Sequence, residues 1–228
     1  MHKSIEVLRL EEHKDSGIKV VSDFLMAKNL TSAPVTVNEY FEACKEYPIV
    51  FSKDSQGAWF SLAILGVEKE NIFVDADGTW RKNCHIPAFI GRYPFLFMED
   101  KDNLVLTLDP SQKVPKDEAG EEYFFEEDNS HSEFLKKLVK GMNSAHRFTK
   151  ITREFIETLN SLGLLEESGM KGQTAKGNDF SIGGFFVVKE EKLKALTAKE
   201  QTKLCKKGYT QFITAHMISV SNIHKLIN

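Results

Sequence analysis

One phrase occurs twice and constrains this chain more than any other feature: residues 46–51 read EYPIVF and residues 92–97 read RYPFLF. Proline cannot continue a helix, and it pushes the residue before it into extended geometry. Each Tyr-Pro therefore marks the handover from a helix end to a buried strand. The first copy runs on through the polar stretch SKDSQG to the apolar run AWFSLAIL; the second runs through MEDKDN to LVLTL and follows the helix-like IPAFIGR. This shared plan predicts two equivalent strands in one antiparallel sheet or partly closed barrel, each leading into its own hairpin. Between the copies, Asp77-Gly78 in NIFVDADGTWRKN signals a further hairpin turn. A calcium loop is a poor fit there, because its spacing requires oxygen ligands at Phe73 and Cys84.

The opening residues alternate weakly and suggest a strand or two with loops. Thr36 with Glu39, and Ser130 with Glu133, have the spacing of a helix-opening capping box. The second should open a long helix, since Phe134, Leu138, Met142, Ala145, Phe148, Ile151, Phe155, Leu159 and Leu162 recur at helical intervals. Gly163 is its natural stop, and Gly141 is a point where it can kink. The acidic run from Asp117 to Asp128 reads as a solvated loop or edge, and GMKGQTAKGND as a mobile surface loop without phosphate-loop spacing. A strand at DFSIGGFFVVK, a helix around EKLKAL, one opened by Thr197 and Glu200, and a last one after Gly208 complete the chain. No linker separates independent units. The expectation is a single α+β domain over residues 1–228, strand-rich over 1–128 and helix-rich over 129–228.

Thirty basic against thirty-three acidic residues give a formal charge of -3, so nothing global attracts nucleic acid or an anionic membrane. Lys136, Lys140, Arg147 and Lys150 form a basic stripe on the long helix, which reads as a solvated face beside the acidic run. Cys44, Cys84 and Cys205 form no C-x-x-C pair, so a disulfide framework and a zinc site both lose support. With no apolar leader-like segment and no stretch of membrane-spanning length, the expected location is the cytoplasm.

Neither the dinucleotide, P-loop and zinc-protease motifs nor the serine nucleophile elbow is present. The densest polar constellation is the segment holding Asp75, Asp77, Trp80, Arg81, His85, Arg92 and Tyr93. A hairpin that folds back gathers these side chains around a small anion, with the arginine forks on its oxygens and the tryptophan face against its body. The favoured reading is plainer: the aspartates shape a turn, Trp80 anchors the core, and the arginines pair with neighbouring carboxylates. His216, at the margin of the last helix's apolar face, is expected to be a hydrogen-bonded core residue. His146 has no sequence partner, and Cys84 beside His85 is not a dyad, because adjacent strand residues point to opposite faces.

Together with EYPIVF, the blocks GVEKENIFVDADGTWRKNCHIPAFIGRYPFLF, YFFEEDNSHSEFL, TREFIETLNSLGLLEE, GFFVV and AHMISVSNIHKL resemble the bacterial SapC family over nearly the whole chain. The resemblance implies an association with surface-layer formation and its secretion genes, and brings no catalytic residues or cofactor with it. It suggests a soluble accessory protein acting through contacts with protein partners of the surface-layer or secretion machinery. The alternative is a small-molecule-binding protein or enzyme using a pocket lined by Trp80, Arg81, His85 and Arg92.

Overall fold

The computed structural model describes residues 4–19, 21–67, 69–100, 103–174 and 177–227. Its first elements are short: β1 (Glu6–Val7), α1 (Leu10–His13), β2 (Ser16–Ile18) and β3 (Ser32–Val35). α2 (Tyr40–Ala43) follows the Thr36 signal and ends before Pro48. The two Tyr-Pro phrases then open β4 (Ile49–Lys53), which turns back as β5 (Trp59–Ile64), and, after α3 (Ala88–Gly91), β6 (Phe95–Asp100), which returns as β7 (Asn103–Leu108). Residues 101 and 102, in the turn expected between β6 and β7, lie outside the described residues. β8 (Lys113–Pro115) pairs with β2.

The fold is α+β with antiparallel sheets, and no barrel closes. Each Tyr-Pro phrase heads its own hairpin as expected, but the two hairpins belong to different sheets. β4 and β5 sit inside a five-stranded sheet, whereas β6 is the edge of a three-stranded sheet ordered β1-β7-β6. Distant chain segments make the difference. Ile49, Val50 and Phe51 are all buried, so β4 is covered on both faces, while Met98 on β6 stays 47% exposed. A local repeat specifies helix end, strand and turn; the neighbours of that strand come from elsewhere in the sequence.

The Asp77-Gly78 hairpin is minimal. The Asp75 N–H donates to Thr79 O at 2.9 Å and one bridge joins Val74 to Trp80, but no strands extend from the turn. Gly78 has φ of +86°, and a Cβ there would lie 2.8 Å from Asp23 Cβ and Leu25 Cγ, so both conformation and space call for glycine.

The second half opens on α4 (Glu133–Ser161), unbroken at Gly141. Its cap is Ser132 rather than Ser130: the Ser132 hydroxyl accepts from Leu135 N–H at 3.1 Å, while Ser130 is held in a turn whose N–H donates to Asp128. Gly163 (φ +68°) ends the helix as expected. The stretch expected to be a loop is instead part of a strand: β9 (Leu165–Gln173) pairs along its length with β10 (Asp179–Val188). Its composition hid it, because Glu166, Glu167, Lys171 and two glycines suit a sheet edge that discourages further pairing. Residues 175 and 176 of that expected loop lie outside the described residues. α5 (Glu190–Lys194), α6 (Ala198–Lys206), with the full Thr197–Glu200 capping box, and α7 (Tyr209–Val220) follow.

The large sheet has the order β3-β5-β4-β10-β9, yet β10 meets β4 at a single residue pair, Phe186 with Phe51. α7 fills the gap beyond it. The Val188 N–H donates to His216 Nε2 at 3.0 Å, which leaves the proton on Nδ1 to donate to Ile49 O at 2.9 Å, and the Ser219 hydroxyl accepts from Ile49 N–H at 2.9 Å. His216 is fully buried and stacks on Phe51 at 4.5 Å, as the core reading of this residue anticipates.

Burial pushes the His216 imidazolium down to about 4 from 6.5, against the opposing pull of the Ile49 carbonyl. Between those values the unfolded chain binds a proton that the folded protein refuses. Stability is therefore complete above pH 6.5 and is lost as pH falls toward 4, by roughly 3 kcal/mol in all. Denaturant midpoints measured across this window should fall on acidification. His216→Gln should flatten that slope and cost about 2–4 kcal/mol at neutral pH. An unchanged slope in the variant would show that another group carries it.

Candidate functional site

The constellation read from the sequence separates into parts. Asp75 is exposed at its turn, and Trp80 is 6% exposed in the core, 5.5 Å from the ring of Phe24. Arg81 lies over the Phe73 ring at 5.1 Å and donates to Ile72 O at 3.0 Å. Tyr93 turns away to donate to Asp109 at 3.3 Å. His85 and Arg92 are brought together, at a residue noted in the sequence only as a capping group: Glu39.

Glu39 is a buried carboxylate, 6% exposed. Oε1 accepts from Ala88 N–H at 2.7 Å and from His85 Nε2 at 3.1 Å; Oε2 accepts from Thr36 N–H at 3.0 Å and lies 3.1 Å from the Thr36 hydroxyl. Only half of the expected capping box forms, since the Thr36 hydroxyl does not cap α2 and approaches Asn38 Oδ1 at 2.6 Å instead. Burial alone would raise the Glu39 carboxyl, but the hydrogen bonds from His85, Ala88 and Thr36 outweigh it and hold it below its ordinary 4.5. A T-x-x-E signal opening a helix of one turn was the available hint in the sequence. What it could not show is that α3 docks its first amide onto that carboxylate.

Beside Glu39 a cavity of about 270 Å³ opens between the β3–α2 connection, α3 and α4. Thr36, Asn38, Glu39, Phe89, Arg92 and Ser144 contribute to its wall. The Arg92 guanidinium lies between two rings, 5.1 Å from Phe89 and 4.9 Å from Phe97. Its Nε–H is out of solvent with no hydrogen-bond partner, and among the described residues Arg92 makes no ion pair. Burial pulls Arg92 below its ordinary value, while the nearby Glu39 charge works to raise it. Gly141 also lines the cavity; a Cβ built there meets nothing within 4 Å.

These groups are suited to recognition. Hydroxyls and one stacked guanidinium face the cavity, and burial pushes the nearby Cys84 thiol up, as it does Cys44, away from the thiolate form a nucleophile needs. Among the described residues no group of three or more His, Cys, Asp or Glu is placed to hold a metal ion, and no helix is long and apolar enough to cross a membrane.

Fold and site together define an α+β protein whose cavity, bordered by a long helix, presents a half-buried cation stacked on aromatic rings. The SapC family model matches residues 8–226, and the chain belongs to that family. No curated protein and no solved structure matches it.

Two substitutions probe this construction. Glu39→Gln puts an NH₂ group where donors already converge, and should lower the denaturation free energy by about 2–4 kcal/mol. It should also remove the part of the acid destabilisation that begins below pH 4.5, since a depressed carboxyl contributes stability only above that range. Gly141→Ala should raise stability by about 0.5–1 kcal/mol, because helix propensity improves without a clash. Thermal and denaturant melts check both.

Proposed function

We propose that this SapC-family protein acts by binding, as an accessory component of bacterial surface-layer biogenesis or secretion, with the Arg92 cavity as its recognition site. The observation that carries the reading is the Arg92 guanidinium, held between two aromatic rings and unpaired at a cavity wall. The terminal nitrogens of this half-buried guanidinium are not among its enclosed atoms and make no hydrogen bond among the described residues, so they are the donors a bound acceptor can meet. Arginine backed by aromatic area is also the residue pairing that concentrates binding energy at interfaces. Family membership supports the surface-layer assignment, through the association the resemblance implies. Cytoplasmic action is part of the proposal, supported by three free cysteines, one of them exposed. A second reading, a small-molecule-binding protein, is favoured by the small volume of the same cavity and its mixed polar and apolar wall.

Affinity capture from the native cell, with mass spectrometry of proteins and small molecules, tests the proposal. Arg92→Lys, at unchanged melting temperature, should reduce recovery of the specific partner or ligand by about tenfold, the effect of losing a stacked bidentate contact. His146→Ala should leave it unchanged. Equal recovery with both variants would refute Arg92 as the recognition group, and turnover of a captured molecule by the purified protein would replace binding with catalysis.

A further inference from the structure

We infer that the cavity beneath α4 is a binding site for a small monocarboxylate, held through Arg92; this rests on the binding reading above. Arg92 offers a planar fork of donors, and the rings of Phe89 and Phe97, 5.1 and 4.9 Å from its Cζ, hold it at the cavity wall. A planar acceptor with two oxygens answers that geometry with parallel charge-assisted hydrogen bonds.

Glu39, the one carboxylate in the wall, does not serve, because both its oxygens are already occupied by His85, Ala88 and Thr36. Its charge nevertheless selects the ligand. Arg92 can pair one negative charge, whereas the second charge of a dianionic phosphate would have to be desolvated beside the Glu39 carboxylate with no further cation among the described residues of the wall. The size selects further: at about 270 Å³ the cavity falls just below the roughly 300–1,000 Å³ of drug-sized pockets. Pro34, Phe89, Ala145 and Phe148 offer an apolar surface to a short hydrocarbon or aromatic body.

Gly141 lies solvent-exposed where α4 borders the cavity. A glycine in a helix interior costs about 1 kcal/mol relative to alanine. Here the helix runs through it unbroken and no neighbour crowds the position, so close packing does not account for it. Its missing side chain leaves room at the cavity wall. The carboxylate comes either from a free metabolite or from the end or side chain of a partner polypeptide, which offer the same chemistry to Arg92.

The test is titration of the full-length protein with benzoate and butyrate, followed by NMR shifts and calorimetry, with benzamide and inorganic phosphate as controls. Benzoate should bind saturably and raise the melting temperature. Benzamide and phosphate should bind at least about tenfold more weakly, and Arg92→Lys and Gly141→Leu should each weaken benzoate by a similar factor. Gly141→Leu fills the space without touching a charge, so it keeps the test decisive if Arg92→Lys folds poorly. A short peptide with a free C-terminal phenylalanine carboxylate, compared with its amide, separates the sources. Tighter binding of the peptide acid than of benzoate supports a polypeptide carboxylate, and the reverse order supports a free small molecule. Benzamide matching benzoate, phosphate displacing it, or benzoate affinity unmoved in both variants overturns the inference. If benzoate fails while captured partners still depend on Arg92, the ligand class falls and the binding reading stands; if neither depends on Arg92, both fall.

Discussion

Ile49 turns one edge of its backbone away from β5, and what meets that edge is a helix. Its carbonyl accepts from His216 and its N–H donates to Ser219, while the other nitrogen of the same imidazole takes the Val188 N–H of β10. A sheet whose central strands share one residue pair would otherwise leave buried main-chain groups without partners, each costing about 1–3 kcal/mol. α7 thus serves as the spacer that lets β4 and β10 diverge. Once it is pinned there, Tyr209 and Phe212 meet Phe155 of α4 at 5.2 and 5.6 Å. Thr152 on the same helix accepts from Val37 N–H at 3.0 Å. The rotation of α4 about its axis follows from these contacts, and with it the presentation of Gly141 and Ser144 to the cavity.

The two charged groups in that wall are treated in opposite ways. Glu39 is saturated by donors from three places in the sequence, which makes it a joint between the β3–α2 connection and α3. Arg92 has its aliphatic and aromatic surroundings supplied and its donors left over. Its Nε–H is enclosed without an acceptor and its terminal donors have no partner among the described residues, an arrangement that packing for stability alone does not call for. The contrast between a finished carboxylate and an unfinished cation, a few residues of structure apart, is the argument for treating the cavity as a recognition site.

Local signals in the sequence translated well into local structure. The Tyr-Pro phrases became helix-to-strand handovers, Thr197 and Glu200 a complete capping box, Gly163 a helix stop, and His216 a core histidine. Where sequence reading diverged from structure, a neighbouring element or turn had intervened. β9 is a strand because β10 pairs with it, despite two glycines and several charges of its own. Ser132 caps α4 because its neighbour Ser130 is committed to a turn. The site residues show the same division: His85 and Arg92 were singled out for their chemistry, while Glu39, which organises them, carried only the signature of a cap.

By itself, then, the sequence determined the α+β class, the order of most elements, the family and the cation at the cavity, Arg92. These follow from periodicity, capping and turn chemistry, which act over a few residues and are written in adjacent letters. Tertiary structure decided that the twin hairpins enter different sheets, that Glu39 is buried and saturated, and that Arg92 is left without an acceptor. Those outcomes depend on which remote backbone groups arrive at each site, and loop closure over long stretches of chain leaves no local trace of the partner it delivers.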